Sequence, residues 1–278
     1  MLRLPPIKTQ GIKTKLLPWI SNEIQKVKFD LWIEPFMGSG VVALNILPER
    51  AILGDCNQTI INFYLDLQSG KLNAEIVKDF FEESAIKLSK NGPDFYKELR
   101  ASYNREPNSL KFLLLNRICF NGLIRYNSKG QFNVPYGKCD NRLNTKFINK
   151  ITTSVDNCQK IIQAREWTFM CTDFSTILPH ATKDDLVYCD PPYFGLNDTY
   201  FQAWNETHEQ KLREALKTTP GAFFLSTWKE TRSEMSTKIN PLEQYWDGFR
   251  IETKEHKYIV GPKTSMRPTV LEALITNR

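Results

Sequence analysis

The sequence predicts an α/β fold interrupted by a mostly helical insertion. Short apolar runs that end in turn residues recur towards both ends of the chain, a pattern typical of buried parallel strands. Between about residues 57 and 150 the runs give way to helical patterns and a stretch rich in Gly, Asn and Pro. We therefore expect one domain formed by residues 1–57 together with 160–278, and an inserted domain over residues 58–159.

The predicted elements follow one another in a β/α order. Residues 31–33 predict a strand, residues 34–40 a glycine-containing turn, residues 41–47 a helix, and residues 51–55 a strand with an acidic tip. This succession is the opening of a Rossmann-like unit. After the insertion, strands are predicted at 167–170, 186–189 and 222–225, a helix at 206–217, and extended runs at 256–260 and 270–276 on either side of a loop.

Composition excludes several classes of protein. The chain has 278 residues, of which 41% are hydrophobic and 24% charged, as in an ordinary globular protein. Its six cysteines form no C-x-x-C pair and its three histidines are far apart, so we expect no metal site. Residues 1–6 do not resemble a signal peptide, and no apolar run reaches the ~18 residues of a membrane helix. We expect a cytoplasmic protein without a membrane partner.

Positive charge is concentrated in the insertion. Residues 97–150 contain eleven Lys or Arg and three Asp or Glu, a net charge of +8, whereas the whole chain has +6 and the remainder therefore −2. A local excess of this kind indicates a face that binds a polyanion. A well-solvated basic surface is the alternative.

The segment Asp190-Pro191-Pro192-Tyr193 is the strongest chemical signal. Each proline fixes its own φ and favours an extended residue before it, so Asp190 is held at a strand end with Tyr193 beyond a stiff turn. Strand ends of this kind bind ligands in open α/β sheets. The Asp190 carboxylate and the Pro191 carbonyl can accept both N–H bonds of an adenine N6 amine, while Tyr193 stacks on the base. A Pro-Pro turn without function is the alternative.

The residues 38–40, Gly-Ser-Gly, predict a cofactor site. These glycines allow a ligand to approach the backbone at a helix N-terminus, and Asp55 can accept hydrogen bonds from ribose hydroxyls. No G-K-[ST] follows, which disfavours a nucleoside triphosphate. The polar leader at 8–13 is interpreted as a flap over the cofactor, in which Lys13 pairs with a carboxylate, or as a frayed end.

Residues 120–138 in the basic insertion predict a hairpin that reads DNA. The turn at 127–130 separates two short extended arms, and a two-stranded ribbon fits the major groove, where Arg reads guanine. Phe120 can wedge into the space left by an extruded base. A purely structural hairpin is the alternative.

Together these motifs resemble a known family. The leader K-x-x-G-x-K, the turn E-P-F-M-G-S-G, the strand ending in Asp55, the run from L-N-R-I-C-F-N-G to N-V-P-Y-G-K, and D-P-P-Y occur in this order. They resemble the Dam-type, D12-class DNA adenine N6-methyltransferases, most closely the EcoRV-type branch of restriction–modification enzymes. The resemblance implies a Rossmann-like, S-adenosyl-L-methionine-dependent methyltransferase fold whose helical target-recognition insertion carries a β-hairpin.

The resemblance also implies roles for individual residues. Double-stranded DNA would be the substrate, with a target containing G-A-T and a restriction endonuclease as a possible genetic partner. Thr9 departs from the aromatic residue of many relatives, so only a backbone or hydroxyl contact is expected there. The implied cofactor contacts are Thr9, Lys13, Pro35, Phe36, Gly38, Gly40, Asp55 and Asp190. The implied DNA contacts are Lys8, Phe120, Asn121, Leu123, Arg125, Asn127, Pro135 and Lys138.

Two residues outside the motifs each have two possible roles, and three other functions are considered. Asp173 can bind the adenine half of the cofactor or cap a helix, and Trp228 can line the base pocket or belong to the core. An amine methyltransferase acting on RNA or protein and a catalytically silent DNA-binding regulator are the rival functions. A nicotinamide oxidoreductase is disfavoured because the fuller glycine signature is missing.

Overall fold

A computed structural model describes residues 2–139, 142–193, 204–233, 236–239, 241–257 and 269–278. Within these ranges the predicted α/β fold is confirmed, because eight strands form one mixed sheet. The strands are β1 Leu31–Glu34, β2 Arg50–Asp55, β3 Glu166–Cys171, β4 Asp185–Cys189, β5 Ala222–Ser233, β6 Ser236–Ile239, β7 Arg250–Lys257 and β8 Thr269–Thr276.

The strand order places a crevice at the centre of the sheet. The order is β3-β2-β1-β4-β5-β8-β7, and β6 pairs with the far end of β5. Strands β1 to β5 are parallel along this path, whereas β8 and β7 are antiparallel to their neighbours. Because the order reverses between β1 and β4, their carboxyl ends flank the switch point at which open α/β sheets bind ligands.

Helices cover both faces of the sheet. The hydrophobic core on one face contains alternate strand residues such as Trp32 and Tyr188 and residues of the first six helices. The core on the other face contains Val187 and Phe223 and residues of the last three helices. This alternation is the period-two pattern of strands buried on both faces. The first six are α1 Leu17–Ile24, α2 Ala43–Ile46, α3 Gln58–Gln68, α4 Ala74–Arg105, α5 Ser109–Ile118 and α6 Thr145–Gln163. The last three are α7 Phe174–Ile177, α8 Glu206–Thr218 and α9 Leu242–Tyr245.

The helices α3 to α6 begin in the same way. Each follows an asparagine whose side chain accepts a hydrogen bond from a backbone N–H of the first turn, which satisfies one of the donors that a helix start leaves free. The four caps are Asn57, Asn73, Asn108 and Asn144. Helix α4 is interrupted at Asn91, two residues before Pro93, because proline cannot continue the helical hydrogen bonds.

The C-terminal strands differ from their predicted bounds. Strand β7 begins at Arg250, six residues before the predicted run at 256–260, and residues 258–268 lie outside the described residues. Strand β5 continues to Ser233, beyond the predicted end at residue 225, and β6 was not predicted. Strand β7 lies at the sheet edge and is rich in charged residues, so it lacks the apolar alternation by which strands are recognised.

Candidate active site and recognition loop

Four predicted segments meet at the carboxyl edge of the sheet. Strand β1 leads into the glycine turn, β2 ends at Asp55, and β4 ends directly before Asp190. Asp173 follows β3 at the same edge. Parallel pairing of these strands brings their ends together, as the β/α order of the sequence predicts.

The glycine turn is fixed by Asp55. Gly38 has a φ of +48° and Gly40 of +67°, a region that favours glycine. The Gly38 N–H donates to Asp55 Oδ2 at 2.9 Å, and the Asn57 N–H donates to Asp55 Oδ1 at 2.8 Å. Burial raises the pKa of Asp55 to about 6, against the effect of these two backbone hydrogen bonds. Asp55 thus organises the turn, and its carboxylate retains further acceptor capacity for a ligand.

Small and aromatic side chains surround the turn. A Cβ on Gly38 would lie 3.7 Å from Thr9 Oγ1, so the N-terminal leader passes next to the turn. The Phe36 ring contacts Phe174 and Trp204, with centroids 5.5 and 5.6 Å away. Pro35, within the same turn, is buried. The predicted cofactor residues of the leader and the turn are therefore adjacent in the structure.

Lys13 and Asp190 form a buried ion pair. Lys13 Nζ lies 2.8 Å from Asp190 Oδ1, and the two side chains are 3% and 19% exposed. The ammonium also donates to the Gly11 carbonyl at 3.1 Å. Burial raises the pKa of Asp190 to about 6, while the positive charge of Lys13 and its hydrogen bond to the carboxylate oppose the rise. The sequence predicted that Lys13 pairs with a carboxylate, and its partner is the proposed catalytic one.

Tyr193 is anchored by its hydroxyl. The hydroxyl donates to Glu272 Oε2 at 2.9 Å and lies 3.2 Å from Ser226 Oγ. Lys13 Nζ lies 4.6 Å from the centroid of the tyrosine ring, within cation–π distance. Pro191 is buried and Pro192 half-buried, which fixes the backbone between Asp190 and this ring.

Two buried carboxylates near Asp190 were missed by sequence reasoning. Glu34 is 2% exposed and accepts a hydrogen bond from Trp32 Nε1 at 2.9 Å. Burial, aided by the negative charge of Asp190, raises the pKa of Glu34 to about 8. Glu272 is completely buried. A single acidic residue within an otherwise apolar strand is the signal by which either could have been found.

Asp173 caps a helix and Trp228 is a buried strand residue. Asp173 Oδ1 accepts the Ser175 N–H at 2.9 Å and caps α7, which is the alternative considered for it. Trp228 is 4% exposed within β5. A cofactor contact by Asp173 stays a prediction.

The predicted hairpin forms as two irregular arms rather than regular strands. Antiparallel bridges join Cys119 to Tyr136 and Tyr126 to Phe132. Asn127 closes the tip, since its Oδ1 accepts the N–H groups of Lys129 and Gln131, both at 3.0 Å. The arms and tip, residues 119–138, are called the recognition loop below.

Arg125 is held in place within the recognition loop. Its Nε donates to Asn133 Oδ1 at 2.8 Å and its Nη2 to the Asn133 carbonyl at 3.2 Å. Because a guanidinium carries five N–H donors, three remain for another partner. The side chain is half-buried, and these two hydrogen bonds set its orientation.

The other predicted DNA contacts of the recognition loop are exposed or half-buried. Phe120 is 50% exposed, although its backbone N–H donates to the Pro135 carbonyl at 2.9 Å. Asn121, Pro135 and Lys138 are exposed, and Leu123 is half-buried. An exposed aromatic ring held by a rigid backbone suits insertion between bases.

Asn116 joins the N-terminal leader to the recognition loop. This buried side chain accepts the Lys8 N–H at 2.8 Å and donates to the carbonyls of Lys8 at 2.9 Å and Gly122 at 3.0 Å. The Lys8 side chain passes over Gly122. Burial lowers the pKa of Lys8, and Arg117 and Arg142 lower it further. One leader therefore carries both Lys8, at the recognition loop, and Lys13, at Asp190.

Comparison with known proteins identifies the family. The family model described as "D12 class N6 adenine-specific DNA methyltransferase" matches residues 10–260. The chain belongs to this family. The matched range of this D12-class enzyme contains the glycine turn, the recognition loop and the segment from Asp190 to Tyr193.

Relatives of this D12-class methyltransferase come from bacteria and archaea. The Type II methyltransferase M1.LlaDCHI of Lactococcus lactis is 27% identical over 98% of this chain and 95% of the relative. The DNA adenine methylase of Haemophilus influenzae is 37% identical over 67% of this chain and 68% of its own length. M.MjaIII of Methanocaldococcus jannaschii, a Type II methyltransferase, is 29% identical over 98% of each chain.

Metal clusters and membrane-spanning helices are absent from the described part of this D12-class chain. Its described residues contain no group of three or more His, Cys, Asp or Glu side chains arranged to hold a metal ion. Among the helices of those residues, none is both long and apolar enough to cross a membrane.

Proposed function

We propose that this adenine-specific DNA methyltransferase transfers the methyl group of S-adenosyl-L-methionine to N6 of an adenine extruded from double-stranded DNA. The observation that carries the proposal is the rigid acceptor edge at Asp190 and Pro191, with Tyr193 anchored beside it. An aromatic amine of this kind needs acceptors on its N–H bonds more than it needs a strong base. Asp190 and Pro191 supply both acceptors.

The residues at the glycine turn fit the proposed cofactor. Its ribose hydroxyls suit Asp55, a half-buried carboxylate already fixed by two backbone donors. The turn next to Thr9 has no Cβ at Gly38 and none at Gly40, where a Cβ would meet Tyr64 at 3.1 Å. The turn therefore presents backbone rather than side chains. Bound there, S-adenosyl-L-methionine supplies an electrophilic methyl group on a sulfonium.

The residues around Asp190 have distinct tasks in the proposed reaction. Asp190 and the Pro191 carbonyl accept the two N6 hydrogens, so that the nitrogen lone pair points at the methyl carbon. Lys13 favours the ionised form of Asp190, as its effect on the pKa of that carboxyl indicates. Tyr193 stacks on the base. The bound cofactor would supply its methyl group to N6 directly and would leave as a neutral thioether, and the N6 proton would then pass to the Asp190 carboxylate or to water, so no covalent enzyme intermediate is needed.

The recognition loop is proposed to read and open the duplex. Lys8, Leu123, Arg125 and Pro135 contact base edges, and Phe120 enters the stack when the adenine leaves it. Asn121, Asn127 and Lys138 contact neighbouring nucleotides. The target contains G-A-T, by the resemblance to relatives. In this proposal residues 1–57 and 160–278 form the catalytic domain, and residues 58–159 form the recognition domain. The enzyme modifies cytoplasmic DNA and accompanies a restriction endonuclease.

One experiment tests donor, acceptor and substrate together. The protein is incubated with S-adenosyl-L-methionine carrying a deuterated methyl group and with matched duplexes of DNA or RNA, with and without G-A-T. Nucleoside mass spectrometry should find deuterated N6-methyladenine only from the G-A-T DNA duplex. Labelled RNA, labelled protein or no transfer at all would contradict the proposal. Nanopore mapping of methylated adenine in a host expressing the chain then gives the full target.

A further inference from the structure

Glu272 is a buried carboxylate in the middle of an apolar strand. Its neighbours along β8 are Leu271 and Ala273, and its side chain is 0% exposed. Burying a carboxylate is costly unless hydrogen bonds compensate for the lost water. A position that needs only to fill the sheet would be occupied more favourably by an apolar residue, so the carboxylate requires an explanation.

The location of Glu272 is fixed by three strands. In the register of the sheet it lies opposite Trp228 of β5 and Lys254 of β7. Its Oε2 accepts the Tyr193 hydroxyl at 2.9 Å, and Ser226, also on β5, lies 3.2 Å from the same hydroxyl. Tyr193 follows the buried Pro191 in the segment after β4. The Tyr193 hydroxyl therefore links the segment after β4 to side chains of β5 and β8.

We propose that Glu272 is a positioning residue for methyl transfer: its carboxylate holds the Tyr193 hydroxyl and so sets the plane on which the adenine stacks. A phenol has one O–H, and donating it to a carboxyl oxygen makes a directional bond. With the backbone fixed at Pro191 and the hydroxyl fixed at Glu272, the ring is held at both ends. The inference rests on the proposed role of Tyr193 as the stacking surface.

The position of Lys13 supports this role. Its ammonium lies over the tyrosine ring at 4.6 Å and bonds to Asp190 at 2.8 Å. A ring that rotated away from Glu272 would also leave the ammonium that holds the acceptor for N6. Glu272 thus fixes, through Tyr193, the relation between the stacking surface and the amine acceptor.

A double-mutant cycle between Glu272 and Tyr193 tests the inference. Glu272→Leu removes the acceptor, Glu272→Gln keeps a neutral one, and Tyr193→Phe removes the donor but keeps the ring. At saturating DNA and cofactor, Glu272→Leu and Tyr193→Phe should each lower the single-turnover rate about 10- to 100-fold, the cost of leaving one buried hydrogen-bonding group without its partner. Glu272→Gln should lose less, and adding Glu272→Leu to Tyr193→Phe should cost nothing further.

Fluorescence and a matched control separate positioning from folding. With 2-aminopurine at the target position, Glu272→Leu should weaken quenching of the extruded base at unchanged DNA affinity. Glu255→Leu, at an exposed site on β7 opposite Leu271, should leave both readouts unchanged. If Glu272→Leu does not fold, Glu272→Gln is made instead, alone and together with Tyr193→Phe. Its effect on the single-turnover rate should disappear when Tyr193→Phe is present.

Two results would overturn the inference. One is a Glu272→Leu enzyme that unfolds at a lower temperature yet keeps its single-turnover rate, which would make the residue merely structural. The other is rate losses that multiply in the double variant, because these would show that Glu272 does not act through Tyr193. A wild-type protein that transfers no methyl group to DNA would instead refute the proposed function.

Discussion

Replacing Lys13 by methionine should move the pH dependence of methyl transfer. The ammonium lies 2.8 Å from Asp190 Oδ1 and is 3% exposed, so the substitution removes a buried charge that lowers the pKa of Asp190. That pKa is about 6 with Lys13 present. Breaking a buried pair costs about 3–5 kcal/mol in total. If about 2 kcal/mol of this cost is lost stabilisation of the ionised Asp190 carboxylate, the pKa of Asp190 rises by roughly 1.5 units.

The direction of the shift in the pH–rate profile depends on which protonation state of Asp190 accepts hydrogen bonds from N6. Because that form is the carboxylate, the rate should rise with pH through the pKa of Asp190. The midpoint should shift from about 6 to above 7 in Lys13→Met. At pH 7 the ionised fraction falls roughly fourfold, and at pH 9 most of the rate should return.

Single-turnover methylation at saturating cofactor and DNA, followed from pH 5 to 9, measures this shift without interference from cofactor affinity. Lys15→Met is the matched control, since Lys15 is an exposed lysine two residues along the same turn. An unchanged midpoint in Lys13→Met would refute the reasoning. An equal loss of rate at every pH would do so as well, because it would show that Lys13 acts otherwise than through the charge of Asp190.

Three further outcomes are expected. Burial raises the pKa of Glu34 from 4.5 to about 8, so its contribution to stability is full below pH 4.5 and is lost as pH rises through 8. The wild-type free energy of unfolding in urea should therefore fall between pH 5 and 8, and in Glu34→Gln this fall should be smaller by on the order of 3 kcal/mol. In Gly122→Ala, the added Cβ would lie 2.7 Å from Lys8 Cδ at a φ of +69°, so discrimination between cognate and altered targets should fall before the rate at saturating DNA does. Phe120→Ala should leave the melting temperature within about 2 °C, since the ring is 50% exposed, but should slow base extrusion followed by 2-aminopurine; wild-type extrusion would contradict the wedge role.

The residues that the sequence predicts best are those whose type has a local physical reason. Gly38 and Gly40 adopt positive φ values that other residues rarely accept, and Asp55 fixes their turn through backbone donors. The prolines after Asp190 restrict the backbone whatever the rest of the chain does. Such positions are visible without any knowledge of tertiary contacts.

Two of the residues that were missed make long-range contacts. Glu272 reaches Tyr193 across 79 positions of sequence, and Asn116 reaches Lys8 across 108. No local pattern encodes such pairs. The leader was predicted to supply a pairing lysine, but that its partner is Asp190 follows only from the fold.

The central claim is that Asp190 holds the amine that receives the methyl group. It is tested most directly by the single-turnover rate of N6 methylation in Asp190→Ala, with cooperative unfolding measured on the same preparation. Asp184→Ala is the control, at an exposed aspartate before β4. We expect Asp190→Ala to unfold cooperatively but to form no N6-methyladenine, while the control matches the wild type. Retained methylation by folded Asp190→Ala would contradict the claim.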